Sequence, residues 1–220
     1  MKKDGKKALF VGIILVAVFA AWTTLIQIVD VQPIGPNETD IGFASFNGRF
    51  HQLTGVHMAI YIVTDWLGLI PIFVCMIFGG IGFAQLVKRR SLFKVDCDLI
   101  FLGIYYALVM FSYFAFEMIP INYRPVLIEG RLEASYPSST TLLVLSVMPT
   151  LVWQAKNRVK NIAVQKAIGI FAGIFSGFMV MGRLISGVHW FTDIVGSVML
   201  SAGLFCIYKA AVLICYKEEK

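Results

Sequence analysis

Residues 182–215 read GRLISGVHWFTDIVGSVMLSAGLFCIYKAAVLIC, and this stretch decides the fold. Its second part, from residue 190 to residue 215, is an almost continuous apolar run. Such a run is long enough for a helix to cross the roughly 30 Å of a bilayer core. Its first part gathers Arg183, His189 and Asp193 at the edge of the run. Because ionisable groups are costly there, the stretch predicts a transmembrane helix with a functional site at one end.

Five further apolar runs precede this one, so the predicted fold is all-α, a polytopic membrane helical bundle of about six transmembrane helices. The composition agrees, because 58% of the 220 residues are hydrophobic, whereas soluble domains contain about 45–50% apolar residues. We expect one membrane domain over residues 1–220, in which residues 8–56 form the first helix and an outer loop. The six predicted spans are residues 8–29, 57–87, 98–120, 138–155, 162–185 and 190–215.

Lysines and arginines predict the orientation, since short positively charged loops stay in the cytoplasm. Six crossings place every basic block on one side. We therefore expect a multi-pass protein of the cell membrane with both termini in the cytoplasm and with loops 30–56, 121–137 and 186–189 facing outward. The basic blocks are Lys2, Lys3, Lys6 and Lys7, then Lys88, Arg89, Arg90 and Lys94, then residues 156–160, and finally Lys217 and Lys220.

Several other patterns narrow the possible functions. The net charge of +6 comes from short blocks between apolar runs, so we expect no nucleic-acid partner. His51 and His57 have no carboxylate or thiol at ligand spacing, so no metal site is predicted. Phe43, Phe46 and Phe50 have helical spacing and predict a short interfacial helix. Four cysteines show no metal-type or disulfide-type spacing and are interpreted as packing residues. They are Cys75, Cys97, Cys206 and Cys215.

The polar residues of the outward regions have the chemistry to bind a phosphate. Arg124 and Arg183 carry planar guanidinium groups that match phosphate oxygens and stay charged at any working pH. Ser138 and Ser139 follow Pro137 at a predicted helix start, where free backbone N–H groups attract anions. We expect these residues to hold a phosphoryl group together.

His189 and Asp193 are four residues apart, which places both side chains on one face of a helix. A carboxylate that accepts from one ring nitrogen fixes the tautomer and leaves the other nitrogen free to attack. Taken alone, the pair could equally be a polar contact at a helix end. Arg183 and the serines on the same face favour an oriented histidine nucleophile.

These residues resemble the motifs of the type 2 phosphatidic acid phosphatase (PAP2) family, which shares its fold with vanadium haloperoxidases. The third motif of that family, Ser-Arg-x5-His-x3-Asp, is matched by residues 182–193, except that Gly182 replaces the serine. The second motif, Pro-Ser-x-His, corresponds to residues 137–140, and the first, Lys-x6-Arg-Pro, to residues 117–125. The resemblance covers roughly residues 57–215.

The resemblance implies a metal-independent lipid phosphatase that needs no cofactor and acts on a membrane lipid phosphate. It also implies that His189 forms a phosphohistidine and that Asp193 orients the ring. The residues implied to bind the phosphate are Arg124, Ser138 and Arg183, and Ser139 remains a candidate from its place at the helix start.

Two positions depart from the family pattern: Glu117 stands in place of the lysine, and Thr140 in place of the histidine that protonates the leaving group. A missing general acid slows the loss of a poor leaving group by about 100- to 10,000-fold. We therefore expect either a lipid diphosphate, such as a polyprenyl diphosphate, or a replacement acid, with phosphatidic acid and phosphatidylglycerophosphate left open as substrates. The candidates for that acid, each of which could instead be a solvated charge or the partner of an arginine, are Glu117, Glu129 and Glu133.

The alternative function is that of a catalytically diverged relative that binds or transports phospholipid. A binding protein needs the cations but not an oriented nucleophile, so His189 with Asp193 favours catalysis. Asp65, inside the second predicted span, is one further intramembrane charge, and its role stays open.

Overall fold

The computed structural model describes the backbone of residues 2–218 and the side chains of residues 3–215. Within this part of the chain the secondary structure is helical, with isolated β-bridges but no β-strand. The predicted all-α class is therefore confirmed. The helices are α1 (Lys2–Ile28), α2 (Ala44–Thr54), α3 (Met58–Leu67), α4 (Leu69–Arg89), α5 (Cys97–Met118), α6 (Ser139–Arg158), α7 (Ile162–Ile185) and α8 (Phe191–Glu218), with short 3-10 turns at Pro36–Glu38 and Leu92–Lys94.

The helices of the described residues include five segments that are long and apolar enough to cross a membrane. The chain is therefore an integral, multi-pass membrane protein. One of these segments contains both α3 and α4, which meet at Gly68. The five segments are Lys3–Ile28, Met58–Arg89, Cys97–Met118, Ile162–Ile185 and Phe191–Cys215.

Helix α6 corresponds to the fourth predicted span, residues 138–155, and it differs from the other five predicted spans because buried polar residues interrupt its apolar sequence. It packs against α4, α5, α7 and α8, so protein surrounds it. Its polar groups find partners there: Tyr105 donates from its hydroxyl to the Ser146 carbonyl at 3.0 Å, and Gln154 donates to the Tyr208 hydroxyl at 3.1 Å. Since an unpaired polar group in lipid costs several kcal/mol, this helix depends on its neighbours.

Helices α1 and α8 approach each other closely through small residues. A Cβ atom added at Gly12 would lie 2.8 Å from Cγ1 of Ile207, and one added at Gly203 would lie 2.9 Å from Cγ2 of Val16. Side chains at these positions would push the helices apart. Small residues at helix interfaces are a common means of packing in membranes, where lipid tails are as apolar as the protein surface.

The loops between α4 and α5 and between α6 and α7 lie at the same end of the bundle. There Arg158 donates to both oxygens of the buried Asp98 at 2.8 Å and to Asp96 at 3.1 Å. Arg89 donates to the second oxygen of Asp96 at 2.8 Å. The ion pairs hold the ends of α4, α5 and α6 together. Of the predicted basic blocks, Lys220 and the side chains of Lys2 and Lys217 lie outside the described residues.

Two of the cysteines correct the interpretation that all four serve only in packing. Cys97, at the start of α5, and Cys215, near the end of α8, form a disulfide with a Cα–Cα distance of 6.7 Å. They are 118 residues apart in the chain, so no local spacing indicates that they pair. The two cysteines meet because α5 packs against α8. Cys75 and Cys206 are free and half-buried.

The loop between α1 and α3 forms a layer over the opposite end of the bundle. It contains α2, which confirms the predicted short helix, although Phe43 is its N-cap. The rings of Phe46 and Phe50 each lie 5.2 Å from that of Phe191, and Asn47 donates to the hydroxyl of Thr192 at 3.0 Å. These contacts fix α2 on the first turn of α8.

Candidate active site

The predicted site residues converge at the end of the bundle that lies opposite the basic loops. The loop 119–138 folds back on itself and is held by a hydrogen bond from the Arg124 N–H to the Glu133 carbonyl at 3.0 Å. It carries Arg124 to the start of α6, where Ser138 is the N-cap. Arg183 lies in the last turn of α7 and Asp193 in the first turn of α8.

The turn between α7 and α8 sets the position of His189. Gly187 in this turn has a φ of +71°, and a Cβ atom there would lie 2.0 Å from the carbonyl oxygen of Gly55. The His57 N–H donates to the Ser186 carbonyl at 2.9 Å. Only glycine allows both the left-handed conformation and this close approach. The loop before α3 is thereby clamped on the turn that carries His189.

His189 is buried, and both of its ring nitrogens have neighbours. Arg183 Nη2 lies 3.1 Å from Nε2, and because a guanidinium can only donate, Nε2 must be the accepting nitrogen. The proton therefore lies on Nδ1, which is 3.2 Å from the Ser135 carbonyl oxygen and 3.1 Å from Ser135 Oγ. This tautomer leaves the lone pair of Nε2 directed towards the arginine.

The environment of His189 also sets its charge. Burial lowers the pKa of the imidazole well below 6.5, and the positive charges of Arg183 and Arg124 lower it further. The ring is accordingly neutral at neutral pH. A neutral imidazole is the nucleophilic form.

The contact between His189 and Asp193 differs from the predicted direct hydrogen bond. Nδ1 and Oδ2 are 3.8 Å apart, which is too long for one. Ser135 lies between them, because its hydroxyl donates to Asp193 Oδ2 and also contacts Nδ1. The Trp190 N–H donates to the same carboxylate oxygen at 2.8 Å, and Asn122 donates to the other at 3.4 Å. Sequence reasoning missed Ser135, although it stands only two residues before Pro137.

Arg124 and Arg183 lie side by side with donors that have no partner. The Nε and Nη1 atoms of both side chains are buried and make no hydrogen bond. The ring of Tyr61, on α3, lies 5.6 Å from the Arg124 guanidinium carbon and 4.8 Å from that of Arg183. Arg124 pairs with Glu133 at 3.2 Å, and Arg183 lies 3.6 Å from Asp65. Unpaired buried donors on two adjacent cations are suited to bind an anion with several oxygens.

The two serines at the start of α6 have different surroundings. Ser138 is fully buried, and its hydroxyl donates to Thr141 at 3.1 Å. Ser139 instead lines a cavity of about 200 Å³ that also contains Arg124 and His189. The side chain that faces the cavity is therefore that of Ser139.

Of the three candidate acids, two line this cavity and one does not. Glu117 and Glu133 line it, and Glu133 is held by Arg124. Glu129 lies in the tip of the loop, with a positive φ of 49°, and is not part of the cavity wall. Thr140, at the position of the family histidine, points instead into a neighbouring groove.

This groove opens between α3, α4, α5 and α6 and has a volume of about 610 Å³. Apolar residues form most of its wall, for example Ile72 and Met110. It adjoins the cavity, since Tyr113, Ser139 and Leu142 line both. The site thus combines a polar chamber with an adjoining apolar groove.

His51 and His57 lie near the site but outside it. The His51 ring packs on Trp190 at 5.5 Å, and His57 donates from Nε2 to the Thr54 carbonyl at 2.9 Å. Burial lowers the pKa of His51. Among the residues whose side chains are described, no three His, Cys, Asp or Glu side chains lie close enough to hold a metal ion.

Comparisons with known proteins agree with this fold. The model of the PAP2 superfamily matches residues 111–216. A solved structure of a transmembrane PAP2-type phosphatidylglycerolphosphate phosphatase from Bacillus subtilis superposes with a TM-score of 0.64, covering 94% of this chain and 96% of that one at 16% sequence identity. No curated protein matches the sequence significantly. Residues 111–216, which match the PAP2 superfamily model, contain the three predicted motifs.

Proposed function

We propose that this protein is an integral membrane lipid phosphatase that works through a phosphohistidine on Nε2 of His189. The observation that carries the proposal is the neutral, buried imidazole beside two arginines with unpaired donors. If the arginines served only the structure, their buried N–H donors would be expected to have hydrogen-bond partners, because each buried donor without one costs about 1–3 kcal/mol of stability.

The arginines would bind the phosphoryl oxygens and stabilise the charge that develops on them in the transition state. Nε2 would then attack phosphorus, forming the P–N bond while the P–O bond to the lipid breaks and its electron pair leaves with the lipid oxygen. Nδ1 keeps its proton, and the positive charge that forms on the ring is stabilised through Ser135 by Asp193. Water would hydrolyse the P–N bond in the second step and regenerate the enzyme.

The apolar groove would receive the hydrocarbon chain of the substrate. It adjoins the cavity at Tyr113 and Leu142, so a headgroup on the arginines would have its lipid tail directed between the helices. Thr140 cannot protonate the leaving group as a histidine would. A lipid phosphate, released from a lipid diphosphate, is a better leaving group than a lipid alkoxide. A polyprenyl diphosphate is therefore the favoured substrate.

The orientation of the site follows from the charge distribution. The basic loops lie at one end of the bundle and the site at the other. Because positively charged loops stay in the cytoplasm, we place the termini inside the cell and the site at the outer face of the cell membrane.

The proposal is tested by measuring phosphate release from the detergent-purified protein. The panel contains a polyprenyl diphosphate, phosphatidic acid and phosphatidylglycerophosphate. His189→Ala should abolish release from every substrate that the wild type hydrolyses, whereas His57→Ala, an exposed histidine outside the cavity, should not. Equal background from wild type and His189→Ala on the whole panel would instead support the diverged lipid-binding relative, which would still bind lipid phosphates through the arginines.

A further inference from the structure

Asp65 is the one carboxylate of helix α3 that reaches the site. Its Oδ1 lies 3.6 Å from Nη1 of Arg183, while Nη2 of the same guanidinium lies 3.1 Å from His189 Nε2. Asp65 and the nucleophile are therefore at neighbouring ends of one guanidinium group. Tyr61, four residues earlier on the same face of α3, lies against both arginines. Helix α3 lies outside the segment that matches the PAP2 superfamily.

The surroundings of Asp65 do not suit a purely structural ion pair. Its side chain is 59% exposed, whereas that of Arg183 is 1% exposed, and the contact is longer than a hydrogen bond. Nη1 of Arg183 makes no hydrogen bond at all. The exposed carboxylate thus contacts the buried Nη1 of Arg183 without forming a hydrogen bond to it.

The position of Asp65 along the groove matters for the chemistry. Asp65 lines the apolar groove, whereas Glu117 and Glu133 line only the polar cavity. The bond that breaks joins the phosphoryl group in the cavity to a lipid in the groove. An acid that protonates the departing lipid oxygen must be within reach of the groove, and Asp65, which lines the groove and contacts Arg183, is a carboxylate in that position.

Asp65 also lies beside the position of the missing family histidine. Thr140 lines the same groove, and a Cβ atom at Gly68 would lie 3.5 Å from its methyl group. Asp65 is one turn before Gly68, on the same side of the helix. A carboxylate from α3 is therefore available next to the space that a threonine leaves open.

We propose that Asp65 is the general acid of this enzyme, a role that rests on the lipid phosphatase function proposed above. In its acid form it would donate its proton to the lipid oxygen as the P–O bond breaks, so that a neutral lipid alcohol leaves. Water would then attack phosphorus and break the P–N bond, so that inorganic phosphate leaves and one proton of the water passes to the solvent, from which the Asp65 carboxylate regains its proton. The acid would extend the substrates to lipid monophosphates, which release a poor leaving group.

The test compares leaving groups. Asp65→Asn keeps the shape of the side chain and loses the proton donor, so kcat for a short-chain phosphatidic acid should fall about 100-fold or more. For p-nitrophenyl phosphate, whose leaving group needs no protonation, the change should stay below about threefold. Asp65→Glu should recover part of the activity on phosphatidic acid. Asp40→Asn, an exposed carboxylate in the outer loop, serves as the matched control.

Each other outcome contradicts the inference in a recognisable way. An equal loss on both substrates would mean that Asp65 acts only by holding Arg183, and no loss on either would mean that it has no role. If the wild type hydrolyses diphosphates but not monophosphates, the phosphatase function stands and the acid role fails. If wild type and His189→Ala are equally inactive on every substrate, the proposed function itself fails.

Discussion

Nδ1 of His189 and Oδ2 of Asp193 are 3.8 Å apart, and the hydroxyl of Ser135 occupies the space between them. The spacing of four residues correctly places the two side chains on one face, but the hydrogen-bonded connection between them comes from a loop residue 54 positions before the histidine. The orientation of the His189 ring therefore depends on how loop 119–138 is packed.

Replacing Ser135 with alanine should lower kcat by about 10- to 100-fold, because Nδ1 keeps its contact with the Ser135 carbonyl oxygen but loses the link to Asp193. Asp193→Asn should have the larger effect, about 10,000-fold, since it removes the carboxylate that stabilises the positive ring. Phosphate release measured at saturating substrate checks both values. Ser112→Ala, which changes a serine on α5 away from the site, should leave kcat unchanged. If kcat of Ser135→Ala is also unchanged, the Ser135 hydroxyl does not connect His189 to Asp193 in a way that matters for catalysis.

The pH dependence of kcat/KM should reflect the depressed pKa of His189. The neutral ring is the active form, so the rate rises with pH through the pKa of the ring, and burial and the two arginines hold that pKa well below 6.5. The wild-type rate should thus be insensitive to this group between about pH 6.5 and 7.5. Arg124→Gln removes one positive charge, so the pKa of His189 should rise towards 6.5. The fall in kcat/KM at low pH should then begin at a higher pH than in the wild type.

The substrate phosphate ionises in the same range, at about pH 6. The ratio of the variant profile to the wild-type profile cancels that contribution and isolates the enzyme group. A ratio that does not change between pH 5 and 7 would mean that His189 does not limit the reaction through its protonation.

The ion pair between Arg158 and Asp98 should be important for stability and not for catalysis. Arg158→Ala leaves the Asp98 carboxylate, whose side chain is 0% exposed, without its charged partner, which should lower the free energy of unfolding by about 3 kcal/mol. Arg89→Ala breaks a partly exposed pair with Asp96 and should cost less than about 1 kcal/mol. Unfolding in detergent, followed by circular dichroism, provides the comparison; equal stabilities of the two variants would contradict it.

The orientation can be tested by labelling single cysteines in intact cells. Leu53 on α2 is 86% exposed, and Phe93 between α4 and α5 is 97% exposed. In a variant without the four native cysteines, Leu53→Cys should react with a membrane-impermeant maleimide from outside, and Phe93→Cys only after the cells are opened. The reverse pattern would place the site in the cytoplasm, and retained phosphatase activity of each variant is the control.

The parts of the fold that depend on local composition could be predicted from the sequence. The fifth predicted span, residues 162–185, coincides with α7 (Ile162–Ile185) because charged and polar residues mark both of its ends. The site residues that belong to motifs are also recognised by type and spacing. Asp65, Tyr61 and Ser135 are different, since they reach the site from another helix or an irregular loop. Their roles arise only from tertiary packing, as does the pairing of Cys97 with Cys215.

The polar character of α6 has a consequence for how the protein is made. A segment with buried Ser146, Thr150 and Gln154 gains little from partitioning into lipid by itself, so the insertion machinery must accept it together with the apolar helices that follow. The hairpin of α6 and α7 would then be the unit that enters the bilayer. Ser138 and Ser139 at the start of α6 and Arg183 at the end of α7 would then reach their side of the membrane in one step during synthesis, not helix by helix.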